Sequence, residues 1–83
     1  MKYDVNAIDQ LKPILKGFRK HRKLSQNQLA KRLGVSQQTY QALEANPQNV
    51  SVERFFRVLN AMSVQLSMID KKEMNKPIEE DAW

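Results

Sequence analysis

The chain has 83 residues, and its 14 Lys and Arg against 9 Asp and Glu give a formal net charge of +5. This length and balance describe one small basic domain and exclude a multidomain enzyme. With no cysteine and a single histidine, a disulfide framework, a thiolate zinc site and an imidazole cage are excluded as well. A domain of this size buries little over about 60% of the surface its unfolded chain exposes, so support from a second copy is expected. No apolar run approaches the ~20 residues of a spanning helix, and the N-terminus lacks the apolar centre of a signal peptide. The expectation is a cytoplasmic protein with no membrane partner.

The charge is regional. No acidic residue occurs between Asp9 and Glu44, whereas Lys12, Lys16, Arg19, Lys20, Arg22, Lys23, Lys31 and Arg32 all do. Residues 1–70 carry +6 and residues 71–83 carry −1. A one-signed span of this kind attracts polyanions through counterion release, although an ordinary solvated helix face has the same composition.

In chain order, Ile8, Leu11, Leu15 and Phe18 recur at the spacing of an amphipathic helix running to about His21. Pro13 leaves its start open, because a proline beyond the first turn breaks or kinks a helix. Ser25 and Gln28 form a capping box, with Leu24 and Leu29 as its hydrophobic staple, and Gly34 ends the helix they begin. Ser36 caps a third helix, stapled by Val35 and Tyr40 and broken at "NPQN" 46–49. Ser51 caps a fourth, with Val52, Phe55, Phe56, Leu59 and Met62 expected along one side. Beyond Met62 the pattern alternates, with Val64, Leu66 and Met68 on one face. That predicts a strand, and a lone strand leaves its backbone groups unpaired unless a second copy pairs with it across a two-fold axis. Residues 71–83 are charged and have little to bury, so a disordered tail is expected. The fold class is therefore all-α, with four to five helices over a 1–70 domain, followed by one short dimer strand and a 71–83 tail.

Two short helices joined by a glycine turn form a helix-turn-helix. The run "QNQLAKRLGVSQQTYQALE", with small Ala30 at the crossing and Gly34 in the turn, resembles the lambda-repressor-like helix-turn-helix family. The resemblance implies that the helix after Ser36 enters the major groove of DNA, with Ser36, Gln37, Gln38 and Gln41 at base edges. A glutamine amide offers a donor beside an acceptor and so matches adenine N6 and N7; outside this frame a glutamine pair is ordinary on a solvated helix. Phosphate contacts are expected from Gln26, Thr39, Lys23 and Arg32, and Arg19 with Glu44 matches the family's structural ion pair. Tyr40 departs from the family, which usually has Ile or Val there.

The "NPQN" break, "FFRVLNAM", "VQLSMID" and the terminal Trp83 narrow this further, since the combination is similar to HipB-type antitoxins. That resemblance implies a homodimer repressing its own operon at a palindromic operator and binding a HipA-type serine/threonine kinase toxin, with Trp83 docking on the toxin. A free-standing phage-type or metabolic repressor and a protein-binding module remain as alternatives. His21 has no nucleophile or carboxylate arranged beside it, and no glycine-rich phosphate loop or paired acids occur, so no enzyme, cofactor or metal site is expected.

Overall fold

A computed structural model describes residues 1–74. The helices are α1 (Leu11–His21), α2 (Gln26–Leu33), α3 (Gln37–Ala45), α4 (Val52–Ala61) and a single turn, α5 (Lys71–Met74). Three-residue 3-10 turns at Ile8–Gln10 and Pro47–Asn49 precede α1 and α4.

The helix starts follow from their caps. Ser25 Oγ accepts from the Gln28 N–H at 3.0 Å while the Ser25 N–H donates to Gln28 Oε1 at 2.8 Å, closing the capping box of α2. Ser36 and Ser51 accept from the Thr39 and Arg54 N–H groups at 3.0 and 3.1 Å. Pro13 is the third residue of α1, where the missing N–H would have had no partner within the helix, so the helix begins before the proline without a break.

Three helix ends share one device. The N–H groups of Leu24, Val35 and Val64 reach back to Arg19, Ala30 and Leu59 carbonyls at 3.1, 3.0 and 2.8 Å, the six-to-one bond of a Schellman ending. The residue before each is left-handed: Lys23 at φ 59°, Gly34 at φ 74° and Ser63 at φ 60°. Leu24, Val35 and Val64 then turn inward and pack against the core.

That core is Leu15, Leu29, Ala30, Tyr40, Leu43, Val58, Leu59 and Met62, so α1, α2, α3 and α4 each contribute. Two expectations need correction. Ile8 is 57% exposed, because it sits in a 3-10 turn whose angular step differs from that of α1 and rotates it out of the stripe. Val52 and Phe56 are 71% and 41% exposed. The inward stripe of α4 is instead Phe55, Val58, Leu59 and Met62, leaving an outward apolar pair one turn apart.

Residues 64–70 form neither a helix nor, among the described residues, a strand ladder, and Leu66 and Met68 are 45% and 90% exposed. At the other end the N-terminal arm lies on α1. Tyr3 meets Phe18 edge-on with ring centroids 5.3 Å apart, and its hydroxyl stands 3.1 Å from where a Cβ on Gly17 would be. A glycine in mid-helix is costly, and here it makes room for the arm.

Candidate nucleic-acid interface

The helix-turn-helix is built on a buried polar cluster. Glu44, on the inner face of α3, is 5% exposed, and Arg19 of α1 is 7% exposed. Arg19 Nε donates to Glu44 Oε2 at 2.8 Å and Arg19 Nη2 to Glu44 Oε1 at 3.0 Å, the bidentate geometry that suits guanidinium and carboxylate. Tyr40, fully buried, donates its hydroxyl to Glu44 Oε2 at 2.8 Å. Gln26 Nε2, from the first turn of α2, donates to Glu44 Oε1 at 3.2 Å. Arg19 Nη1 also holds the Leu24 carbonyl at 2.9 Å. One carboxylate thus ties α1, α2 and α3 together, each of its oxygens accepting two donors.

Burial by itself would raise the Glu44 carboxyl, but the hydrogen bonds from Arg19, then Tyr40 and Gln26, outweigh it and hold the group below its ordinary value. The Glu44 hydrogen bond raises Arg19 against the opposing effect of burial. Burial, reinforced by the Glu44 bond, also raises the Tyr40 hydroxyl, keeping it protonated as a donor. The sequence shows Tyr40 only as extra bulk. Its spacing of four from Glu44, which places both on one helix face, was the signal for the hydroxyl's partner.

With Tyr40, Leu43 and Glu44 turned inward, Ser36, Gln37, Gln38, Thr39 and Gln41 are exposed. The Ser36 hydroxyl donates to Thr39 Oγ1 at 2.9 Å, fixing both at the start of α3. The first turns of α2 and α3 contain no acidic residue, leaving the positive end of each helix dipole uncompensated. Gln26 is half-buried, with its amide donating to Glu44. Lys23 is exposed in the turn between α1 and α2.

Arg32 is placed elsewhere. Its Nη1 donates to the Ala61 carbonyl at 3.2 Å, and Arg22 Nε donates to the Met62 carbonyl at 2.8 Å. Both guanidinium groups therefore sit on the C-terminal end of α4, where orphan carbonyls and the negative end of the dipole favour cations. Trp83 lies outside the described residues. Among the described residues no group of His, Cys, Asp and Glu could hold a metal ion, and no helix is long and apolar enough to cross a membrane.

Residues 15–69 match the helix-turn-helix family. Antitoxin HipB from Escherichia coli O6:H1 (strain CFT073) is 33% identical over 63 residues, covering 76% of this chain and 67% of that protein. The chain belongs to the helix-turn-helix family of HipB antitoxins. Antitoxin HipB from strain K12 is 32% identical over 63 residues, 76% of this chain and 72% of its own length. Among solved structures, the HipA-HipB-O2-O3 complex gives a TM-score of 0.75 at 28% identity, covering 86% of this chain and all of that HipB chain (100%). The HipB-O1-O2 complex gives 0.74 at 28% identity, covering 83% of this chain and 100% of that one. The helix-turn-helix carrying the Glu44 cluster falls wholly within the stretch that matches the family.

Proposed function

We propose that the chain is a sequence-specific DNA-binding repressor and antitoxin, acting as a homodimer that controls its own toxin–antitoxin operon at a palindromic operator. The single observation that carries this is the exposed face of α3, whose Gln37, Gln38 and Gln41 amides are braced from behind by the Glu44 cluster. Ser36, Gln37, Gln38 and Gln41 are the base-contacting residues, and Gln26, Thr39 and Lys23 hold phosphates. The relatives' names support the antitoxin role, and a HipB solved together with HipA supports a HipA-type serine/threonine kinase as partner. Trp83 is the proposed anchor for that kinase. Leu66, Met68, Val52 and Phe56, apolar and exposed in one chain, support a second copy, with Val64, Leu66 and Met68 pairing as a strand across the two-fold axis.

The test is a binding comparison on a duplex that the parent protein selects from a random-sequence pool. Gln37→Ala or Gln38→Ala should cost about 1–3 kcal/mol and relax preference at one base pair of each half-site. Gln26→Ala should weaken binding to selected and scrambled duplexes alike, because a phosphate contact carries no base information. Unchanged discrimination in both α3 variants would remove the groove assignment.

A further inference from the structure

The chain leaves α4 through a joint that is held from two sides. Three consecutive carbonyls, those of Ala61, Met62 and Ser63, each accept a guanidinium donor. Arg32, in the last turn of α2, holds the first at 3.2 Å. Arg22, the residue that ends α1, spans the next two, with Nε 2.8 Å from the Met62 oxygen and Nη2 3.4 Å from that of Ser63. The following N–H, that of Val64, bonds back to the Leu59 carbonyl at 2.8 Å, and the Val64 side chain packs against the core. Backbone bonds of this kind stop a helix by themselves, as they do for α2 at Gly34, so the two arginines do something beyond ending α4. Both come from the elements that precede the recognition helix, and both act where the chain turns into the dimer segment. We propose that Arg22 and Arg32 are positioning residues that set the spacing of the operator half-sites, by fixing the direction in which residues 64–70 leave the helix-turn-helix. The inference rests on the DNA and dimer readings above and concerns residues to which neither gives a role.

The hinge of this joint is Ser63. Its two backbone torsions set the angle between the Met62 peptide plane before it and its own peptide plane after it, and Arg22 holds the carbonyls of both. Ser63 stands at φ 60°, a conformation that a residue with a side chain leaves readily, so the clamp matters most where the backbone is least settled. Arg32 ties the peptide one step earlier to α2. Leverage makes the angle consequential. Recognition helices of a two-fold dimer sit about 34 Å apart on the duplex, which puts each about 17 Å from the axis. In a dimer paired through residues 64–69, the joint is the link between that axis and each recognition helix. One added base pair moves the half-sites apart by about 3.4 Å and turns one against the other by about 35°. Shared by symmetry, that asks each protomer to shift by about 2 Å and turn by about 17°. A clamped Ser63 resists the turn, whereas a free one absorbs it with a modest change of its torsions.

The experiment uses the full chain with Arg22→Gln, Arg32→Gln and the double change, all at exposed positions. Melting curves check folding and sedimentation checks the dimer. Affinity is measured for the duplex that the parent selects and for versions with one base pair added to, or removed from, its centre. The parent should lose roughly 10–100-fold on either change, the cost of one or more misplaced base contacts. The double variant should bind all three duplexes within about threefold of one another and should match the parent on an isolated half-site. A role confined to stability would lower every affinity together and leave the ratios between duplexes unchanged. A second readout needs no DNA. The chain has no cysteine, so Gln48→Cys, at an exposed position, carries one spin label per protomer in either background. Pulsed distance measurements should give one narrow separation for the parent and a broad distribution for the double variant. A dimeric double variant with the parent's spacing ratios, or with the parent's distribution width, would overturn the proposal. So would a double variant that turns monomeric, since the arginines would then serve association instead. If the double change unfolds the domain, the single changes carry both readouts, each leaving the other arginine in place. A parent that selects no sequence overturns the DNA reading, and the label distances still decide whether the arginines fix the joint.

Discussion

Replacing Tyr40 by Phe removes a single hydrogen bond from the Glu44 cluster and leaves the ring in place. The hydroxyl donates at 2.8 Å to Glu44 Oε2, and the same oxygen keeps the 2.8 Å bond from Arg19 Nε, so the carboxylate is weakened but not orphaned. A hydrogen bond to a charged group contributes about 1.5–3 kcal/mol, and because the second donor remains the expected loss is about 2 kcal/mol. For a domain of this size that lowers the melting temperature by roughly 8–16 °C. The cost should depend on pH. Glu44 lies below its ordinary value in the folded state, so its contribution is present above the unfolded carboxyl value and disappears as pH falls through the lowered folded one. In acid the hydroxyl loses a neutral rather than a charged partner, and the difference between parent and variant should shrink to about 1 kcal/mol. Urea melts of both proteins from pH 7 downward, at one protein concentration, measure this. A loss below about 0.5 kcal/mol at pH 7 would refute the view that the ionised carboxylate holds the three helices together.

Ser63→Gly should stabilise the domain by about 0.5–1 kcal/mol, seen as a higher urea midpoint, because a side chain at φ 60° is strained where glycine is not. Leu66→Pro should remove a ladder donor and shift the sedimentation profile toward monomer; an unchanged dimer would move the interface to the Val52 and Phe56 face of α4. Deleting residues 71–83 should leave affinity for the selected duplex unchanged or slightly raised, since the segment carries −1, and should reduce binding to a HipA-type kinase. Equal kinase affinity for the deleted, Trp83→Ala and parent proteins would remove Trp83 as an anchor.

The parts of this fold that are local in sequence were legible there. Ser25, Ser36 and Ser51 announce three helix starts because capping is decided within four residues, and Gly34 announces an end because few side chains tolerate its conformation. Lys23 and Ser63 adopt the same left-handed turn without a glycine, which composition gives no means of reading. Val52 and Phe56 fit the apolar period of α4 as well as Phe55 and Leu59 do. Which side faces inward depends on where α1 and α2 pack, a tertiary fact that periodicity does not contain. The Arg22 and Arg32 partners were invisible for the same reason, being main-chain carbonyls about 30 to 40 positions away.

The engagement of Arg19, Arg22 and Arg32 with a carboxylate and with helix-end carbonyls divides the cations of the basic span by residue type. The forked guanidinium groups are committed to holding helices together, and the exposed ammonium groups of the lysines remain for whatever the domain meets. Exchanging Arg for Lys at those three positions would strike the scaffold, since an ammonium cannot reproduce the fork. Adding or removing lysines along α1 would leave the scaffold intact. Strength of attraction to a polyanion and stability of the fold can consequently drift independently in sequence, so that a descendant could weaken or tighten its hold on a regulatory site without first having to be rebuilt inside.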